Sequence, residues 1–197
     1  MLVITENDTR VKEMVENLLE TGGVFIFPTD TVYGIGGGAW DERALDKVRR
    51  LKGRDPSQPL TLHLPSVNAI KRFAVYDDRV QEVLDKFLPG PMTFILPASG
   101  QAPPATVLRG KVGIRVPAHP FFESIMSSID RPLFGTSVNR SGCAPLSDIE
   151  QIIEQFSGVD LIVEALELGT GIASAIADLT VFPPRALRGK LPKSLLQ

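Results

Sequence analysis

Short apolar runs alternate with segments of helical periodicity along the chain, and this pattern limits the fold to a sheet with packed helices. The runs typical of buried strands lie at residues 24–27, 60–64, 92–96, 112–116, 133–137, 161–163 and 175–181. They are too many and too irregularly spaced for a plain doubly wound fold. We therefore predict an α/β (α+β) protein in which helices pack on a twisted mixed sheet.

Five segments outside these runs predict helices. In the first, apolar residues recur at helical spacing over residues 11–19, with capping candidates at residues 7–9 and a stop at Gly22-Gly23. The second begins at the capping residue Asp41 and closes at Gly53. The others are predicted over residues 79–87, after His119-Pro120, and from the cap Asp148 through Phe156.

The composition is that of a chain that can bury a core and carries little net charge. Hydrophobic residues make up 43% of the sequence, and 21 basic against 23 acidic residues give a formal charge of −2. The whole chain is therefore no generic polyanion binder. The N-terminus is neither a basic leader nor an apolar run, and no segment approaches ~18 consecutive apolar residues. We expect one domain over residues 1–197 and a soluble, cytoplasmic protein with no membrane association.

Positive charge is concentrated in one segment. The basic residues there are Arg43, Lys47, Arg49, Arg50, Lys52 and Arg54, against the single acid Asp46. Such a cluster raises the local potential and attracts an anionic ligand, for which phosphate is the best candidate. A solvated helix face with outward-pointing cations would explain the segment equally well. No Lys or Arg occurs between Ser141 and Pro184.

Two loop-like segments invite a nucleotide-binding interpretation. Gly34–Gly38 lacks the spacing of a P-loop, and no capped helix follows it in the Rossmann position, so we predict tight turning there. From Ser137 to Gly142, a hydroxyl, an amide and a cation follow a strand end and can donate to phosphate or ribose oxygens. An ordinary Ser/Asn turn would have the same sequence.

Two basic residues, Arg115 and His63, lie within predicted strands. Arg115 is a charge in an apolar run, and such arginines are nearly always paired. A substrate carboxylate is a suitable bidentate partner, and an internal Asp or Glu is an equally suitable one. His63 alternates with Leu62 and Leu64, so it faces away from them, either as a satisfied half-buried histidine or as a ligand contact.

Nucleophilic and metal chemistry find little support in the residue types. The single cysteine, Cys143, excludes an internal disulfide and is best read as a packing or loop residue. No CxxC or HExxH arrangement offers a metal site. Ser174 follows the flexible sequence Gly169-Thr170-Gly171, which predicts a loop before the final strand.

In order and spacing, these segments resemble the YrdC family of threonylcarbamoyl-AMP synthases. The matching motifs are Pro28-Thr29-Asp30-Thr31-Val32-Tyr33-Gly34, Lys52-Gly53-Arg54 with Pro59-Leu60, His63, Pro89-Gly90-Pro91-Met92-Thr93, Val112-Gly113-Ile114-Arg115-Val116-Pro117 with His119-Pro120, Ser137-Val138-Asn139-Arg140-Ser141-Gly142, Ala177-Asp178-Leu179-Thr180 and Arg185-Ala186-Leu187-Arg188-Gly189. Each motif is weak alone, and the ordered set is specific. The resemblance implies a single-domain YrdC-like sheet around an open cavity. Because the chain ends soon after Arg188, it resembles the short branch of the family, without an additional C-terminal domain.

The resemblance also implies a nucleotidyltransferase reaction. L-threonine and bicarbonate or CO2 would give N-carboxy-threonine, which attacks the α-phosphate of ATP and releases pyrophosphate. The product, threonylcarbamoyl-AMP, would pass to downstream threonylcarbamoyl transferase machinery for t6A modification at position 37 of ANN-decoding tRNAs. Nucleotidyl transfer depends on positioning and charge stabilisation, so no protein nucleophile is required.

Site residues follow from the matched motifs. The resemblance implies that Lys52 and Arg54 are catalytic, holding the triphosphate and stabilising transition-state charge. The residues implied for ATP are Lys52, Arg54, Gln58, Lys111, Ser137, Asn139, Pro145 and Arg188. Those implied for L-threonine are Thr31, His63, Arg115, Gly135 through its backbone, and Ser174. Mg²⁺ is implied by ATP and would be held mainly by phosphates and water, without a protein metal site.

Three positions depart from the family pattern. Ala175 follows Ser174 where Thr is usual, Gly135-Thr136 replaces a common Ala-Pro, and Pro145 replaces a frequent serine. Pro145 has no hydroxyl, so the contact implied there cannot be the one that a serine side chain makes.

Two other functions fit parts of the sequence. One is a noncatalytic module that binds double-stranded RNA or tRNA through the basic segment 43–54, although stacking aromatic residues do not accompany that segment. The other is the related fold of dihydroxybutanone-phosphate synthase, whose Mg²⁺ chemistry calls for acidic ligands that are missing beside Lys52.

Overall fold

In the computed structural model, which describes residues 1–129 and 131–196, six α-helices pack on one sheet. The strands are β1 (Leu2–Thr5), β2 (Phe25–Phe27), β3 (Gly34–Gly38), β4 (Thr61–His63), β5 (Met92–Pro97), β6 (Val107–Leu108), β7 (Lys111–Arg115), β8 (Leu133–Ser137), β9 (Leu161–Glu164), β10 (Ala175–Asp178) and β11 (Arg185–Arg188). The helices are α1 (Val11–Glu20), α2 (Glu42–Lys52), α3 (Ile70–Phe73), α4 (Asp78–Phe87), α5 (Pro120–Ile129) and α6 (Ile149–Gln155).

The sheet is mixed, as the sequence predicts. Its strands run in the order β1-β9-β2-β3-β8-β4-β7-β5-β10-β11, and β6 pairs with β7. The pairs β1/β9, β2/β9, β4/β7 and β5/β10 are parallel. The remaining neighbours are antiparallel. The prediction of a mixed α/β sheet with flanking helices is therefore confirmed.

Helices cover the two faces of the sheet unequally. On one face, Leu62 and Ile114 are buried in a core shared with α3 and α4, and Phe134 packs in a core shared with α2 and α6. On the other face, α1 and α5 form a core with β2 and β9. Beyond that core, Ile95 and Gly113 remain half-exposed. The uncovered part of this face forms an open cavity over β4, β7, β5 and β10.

The glycine run is a strand, so the prediction of a tight turn there was wrong. Gly34–Gly38 forms β3, which pairs with β2 and β8. These glycines are needed because neighbouring groups approach closely. A Cβ on Gly36 would lie 1.9 Å from the carbonyl oxygen of Phe134, and one on Gly34 would lie 2.5 Å from the Phe27 ring. Propensity alone disfavours glycine in strands, and here tertiary packing overrides it.

Helix α2 begins and ends where the sequence predicts. Asp41 is its N-cap and accepts hydrogen bonds from the backbone N–H groups of Arg43 and Ala44. Gly53 ends the helix in the left-handed conformation, with φ 61°. The predicted cap Asp148 likewise accepts from the Gln151 N–H at the start of α6. Lys52 is thereby fixed as the last helical residue.

Other predicted boundaries were wrong. The N-cap of α1 is Arg10, without a side-chain cap, rather than a residue in 7–9. Strand β10 ends at Asp178 rather than at residue 181, because the Asp178 carboxylate accepts hydrogen bonds from the N–H and Oγ1 of Thr180 and turns the chain. The sequence interpretation also missed β1, α3, β6 and β11, which are short and lack clear periodicity.

Within residues 1–129 and 131–196, no helix has the length and apolar character needed to cross a bilayer.

Candidate active site

The open face holds a pocket where β4, β7, β8 and the loop before β10 meet. Six of the residues predicted for ligand binding line it, and they are His63, Arg115, Gly135, Ser137, Ser174 and Arg188. They come from five different strands or loops that are remote in sequence. Strand pairing explains the convergence, since His63 is the partner of Arg115 between β4 and β7, and Thr61 is the partner of Gly135 between β4 and β8.

Arg115 stands at the end of β7 and is 5% exposed. Its Nη2 donates to Asp30 Oδ1 at 2.6 Å and to Thr31 Oγ1 at 2.8 Å. The sequence allows either a substrate carboxylate or an internal acid as the partner of Arg115. The structure contains the internal acid, and it is Asp30. Burial lowers the pKa of Arg115, and Asp30 opposes that shift. Arg115 Nε has no hydrogen-bond partner among the described residues, so the guanidinium retains capacity for a further acceptor.

His63 lies beside Arg115 and is buried. Burial, with repulsion from Arg115, lowers the pKa of its imidazole to about 3, so the ring is neutral at pH 7. Its Nδ1 lies 3.2 Å from the Thr61 carbonyl oxygen. A Cβ on Gly135 would lie 2.7 Å from two atoms of this ring. The glycine at position 135 is therefore what allows His63 to lie against β8.

A buried pair of hydroxyls forms the opposite wall of the pocket. Ser174 Oγ lies 2.9 Å from Thr93 Oγ1. Arg188 reaches the same serine from β11, because its Nη2 donates to Ser174 Oγ at 3.1 Å and its Nε donates to the Ser174 carbonyl oxygen at 3.0 Å. The predicted loop at Ser174 is thus held in place from two strands.

Lys52 lies behind Ser137 and is 2% exposed. Its Nζ donates to the carbonyl oxygens of Ser137 and Asn139 and to Asn139 Oδ1. Burial, with repulsion from Arg54, lowers the pKa of Lys52 to about 7. Three acceptors favour the charged ammonium, which has three N–H donors. Ser137 Oγ also donates to Asn139 Oδ1 at 2.6 Å, so Lys52, Ser137 and Asn139 form one network.

Arg54 completes a positively charged region at this edge. Its Nη2 donates to the Pro59 carbonyl oxygen at 2.9 Å. Burial, with repulsion from Arg49 and Arg188, lowers the pKa of Arg54. Arg188 also repels Arg115. Cations that repel one another around one pocket, with Asp30 as the carboxylate paired to Arg115, favour an anionic ligand there.

Seven predicted residues do not line the pocket: Lys52, Arg54 and Asn139, described above, and the four that follow. Thr31 lies behind Arg115 and is 1% exposed. Lys111 occupies the same face of β7 as Arg115, about 13 Å away along the strand, and its Nζ contacts Asp178 and Thr180. Gln58 is exposed, and Pro145 is half-buried.

Four threonines of the pocket were missed as site residues, namely Thr29, Thr61, Thr93 and Thr136. Asp30, which holds Arg115, was missed as well. Thr29, Asp30 and Thr93 lie inside matched motifs, so their positions carried the signal. Nothing in the sequence identified Thr61, which is placed by the pairing of β4.

The basic segment 43–54 is not one continuous exposed surface. Lys47 is paired with Asp160, with Nζ 2.7 Å from Oδ2, and Arg49 lies 3.6 Å from Asp46. Lys52 is buried. Because these charges are neutralised or turned inward, α2 offers no regular track for a phosphate backbone, which weakens the RNA-binding alternative.

A comparison with known protein families identifies the family of this chain. The family model named Sua5_yciO_yrdC, with the description "Telomere recombination", matches residues 17–189. The chain belongs to the Sua5/YciO/YrdC family. The matched range contains every residue assigned above to the pocket and to the Lys52 network.

Two relatives of this Sua5/YciO/YrdC protein are named threonylcarbamoyl-AMP synthase. A threonylcarbamoyl-AMP synthase of Dichelobacter nodosus is 34% identical over 79% of this chain and 83% of its own length. The threonylcarbamoyl-AMP synthase of Pyrococcus abyssi is 33% identical over 98% of this chain and 59% of its own length. The chain therefore spans about three fifths of the P. abyssi relative.

A solved structure of P. abyssi Sua5 complexed with L-threonine matches this Sua5/YciO/YrdC chain with a TM-score of 0.86 and 29% identity. The match covers 95% of this chain and 57% of that one.

Proposed function

We propose that the chain is an L-threonylcarbamoyladenylate synthase, which forms threonylcarbamoyl-AMP and pyrophosphate from L-threonine, bicarbonate or CO2, and ATP. The observation that carries this proposal is the meeting of Arg115, Arg188 and Ser137 around one pocket, with Lys52 bound behind Ser137. A carboxylate and a phosphate chain need separate cationic contacts, and this arrangement supplies both within reach of each other.

The threonine carboxylate would bind Arg115, which lines the pocket and whose guanidinium is oriented by Asp30. Neutral His63 and the hydroxyls of Thr93 and Ser174 would surround the rest of the amino acid. Neutral groups suit this part of the pocket because the reacting amine must lose its charge before it forms a carbamate. Thr31 would act indirectly, through its bond to Arg115.

The triphosphate would lie at the edge formed by Lys52, Arg54 and Arg188. Lys52, whose three donors are held by Ser137 and Asn139, would have to exchange one of these acceptors for a phosphate oxygen. These cations would stabilise the charge that develops as the carbamate oxygen attacks the α-phosphate and pyrophosphate leaves. Ser137 and Asn139 would contact the nucleotide. Gln58, Lys111 and Pro145 stay proposed nucleotide contacts by resemblance; Lys111 shares the open face, and its ammonium would have to exchange Asp178 for the ligand.

The use of ATP as a substrate implies a bound Mg²⁺ ion. Residues 1–129 and 131–196 contain no group of three or more His, Cys, Asp or Glu side chains suited to a metal ion. The donor set therefore fits an ion carried by phosphate oxygens and water, where it neutralises phosphate charge. The product would serve downstream transferase machinery in the t6A modification of tRNA.

A direct assay tests the reaction. The protein is incubated with ATP, Mg²⁺, bicarbonate and labelled threonine, and we expect pyrophosphate release together with a labelled adenylate detected by mass spectrometry. Release should require threonine and bicarbonate. Turnover without threonine, or no turnover, would contradict the proposal. Serine, which lacks the methyl group of threonine, is the control substrate. One methyl group is worth only ~1–3 kcal/mol of selectivity, so we expect serine to react less efficiently than threonine by that amount.

Variants of the phosphate-facing cations test their roles. Lys52→Ala and Arg54→Ala should each reduce transition-state stabilisation by about 2–4 kcal/mol, the effect of losing one preorganised donor. Arg43→Ala is the control, since Arg43 is an exposed residue of the same helix. If both test variants keep near wild-type kcat/KM, Lys52 and Arg54 do not have the proposed catalytic role.

A further inference from the structure

The C-terminal turn of α2 has carbonyl oxygens that no residue of the helix can satisfy, as at every helix end. Two of them are satisfied locally. The N–H of Arg54 donates to the Arg49 carbonyl oxygen at 2.9 Å, and the N–H of Gly53 donates to that of Arg50 at 3.2 Å. This is the usual glycine-ended turn.

The last two carbonyls are satisfied from a distant segment. Arg140 Nη1 donates to the Leu51 carbonyl oxygen at 2.7 Å. The N–H of Ser141 donates to the Lys52 carbonyl oxygen at 2.8 Å. Both donors belong to the loop that follows β8. The carbonyl oxygens that bind the Lys52 ammonium come from Asn139 in this loop and from Ser137, the last residue of β8. The helix end and the loop therefore hold each other in both directions.

Arg140 reaches a second helix end as well. Its Nη2 lies 3.4 Å from the Gln155 carbonyl oxygen, where α6 ends, and its guanidinium carbon lies 5.8 Å from the centre of the Phe156 ring. A cation at two helix C-termini is favourable, because both carry partial negative charge. A planar guanidinium can donate in two directions at once, whereas an ammonium cannot match this geometry.

We infer that Arg140 is a positioning residue for the nucleotide half of the site, an inference that rests on the proposed function. By joining the ends of α2 and α6 to the loop after β8, it sets the place of Lys52 and Arg54 relative to Ser137 and Asn139. The threonine half of the site is held by other contacts, chiefly Asp30 with Arg115. Loss of Arg140 therefore weakens ATP binding selectively.

The experiment compares three variants of the whole chain. Arg140→Met keeps the aliphatic stem and removes the donors. Arg140→Lys keeps the charge and one donor group. Arg50→Met is the matched control, because Arg50 is an exposed arginine of α2 whose side chain makes no hydrogen bond or ion pair to the described residues. Dissociation constants for Mg²⁺–ATP and for threonine are measured separately by calorimetry, well below the melting temperature.

We expect Arg140→Met to raise the dissociation constant for ATP on the order of tenfold, the scale of one lost charge-assisted hydrogen bond. Threonine binding should change less than about twofold, and Arg140→Lys should recover part of the ATP affinity. Arg50→Met should match the wild type. The inference is overturned if Arg140→Met behaves like Arg50→Met, or if both ligands are weakened equally, which would indicate a general loss of structure.

Two further outcomes are decisive. If Arg140→Met does not fold, Arg140→Lys carries the comparison with Arg50→Met, and unchanged ATP affinity in that folded variant overturns the inference. If the wild type binds ATP but releases no pyrophosphate with threonine present, the proposed function fails, and the ATP affinities of the variants still decide the role of Arg140.

Discussion

The carboxylate of Asp30 and the guanidinium of Arg115 form a buried ion pair, with Oδ1 2.6 Å from Nη2, in which Arg115 lines the pocket and Asp30 does not. The two side chains are 13% and 6% exposed. Arg115 could not be buried at this depth without a partner. The bond to Asp30 fixes the orientation of a guanidinium that lines the pocket.

Replacement of Asp30 tests this pair. Asp30→Ala should lower the free energy of unfolding by about 3–5 kcal/mol, because it leaves a buried charge without its partner. Threonine affinity should fall with it, since Arg115 is no longer oriented. Denaturant melts and threonine titrations measure the two effects. Asp46→Ala is the control, because Asp46 pairs with Arg49 at the surface and such pairs are worth at most ~1 kcal/mol. Equal losses in both variants would refute the assignment.

A methyl group at position 135 should disturb the threonine half of the pocket. The Cβ of Gly135→Ala would meet His63 at 2.7 Å and push the ring away from β8. We expect a loss of roughly 1–3 kcal/mol in stability from overpacking and weaker threonine binding, with ATP affinity retained. Gly100→Ala is the control, because its Cβ would meet nothing within 4 Å. Unchanged threonine affinity would show that the His63 ring can move away from the added methyl group without affecting threonine binding.

ATP affinity should fall as the pH rises. Burial and Arg54 lower the pKa of Lys52 from 10.5 to about 7, so in the free protein the ammonium is lost as the pH rises through that value. Phosphate favours the charged form, so binding above pH 7 takes up a proton. Calorimetry of Mg²⁺–ATP binding between pH 7 and 9 in buffers of different ionisation enthalpy measures this uptake. Lys52→Arg should abolish it, because a guanidinium stays charged; the same uptake in that variant would exclude Lys52 as the source.

The lowered pKa of Lys52 should make the free energy of unfolding rise with pH above about pH 7. The folded pKa of Lys52 lies below its ordinary value, so the unfolded chain binds more protons between about pH 7 and 10.5. Lys52→Met should show a smaller rise, measured by urea melts at several pH values, whereas Lys86→Met, an exposed lysine in α4, should follow the wild type.

Stability and threonine affinity should depend on the hydroxyl group of Thr93 more than on the shape of its side chain. Thr93→Val removes the partner of Ser174 and leaves a buried hydroxyl with fewer bonds, which should cost about 1–2 kcal/mol of stability. Threonine affinity should also fall, since Ser174 loses its fixed orientation. Thr5→Val at the exposed strand β1 should stay within about 0.5 kcal/mol of the wild type. If Thr93→Val binds threonine as tightly as the wild type, the Thr93–Ser174 pair is not part of the threonine site.

Local signals in the sequence were sufficient for the elements that carry them. Asp41 and Gly53 marked both ends of α2, because an N-cap carboxylate and a left-handed glycine act within one turn of the chain. Apolar runs located most strands of the sheet, and the ordered motifs brought Arg115, His63 and Ser174 into one proposed site. The same local reasoning misread Gly34–Gly38, whose glycines are required by Phe27 and by the backbone of Phe134.

What the sequence determined by itself is the set of elements with strong local signals and the identity of the polar residues that a ligand would need. Only the tertiary structure decided that Asp30 is the partner of Arg115, that Gly135 gives His63 its place, and that Arg140 caps α2 from 89 residues away. These are contacts between segments far apart in the chain. Their energies depend on strand register and burial, which no local pattern encodes.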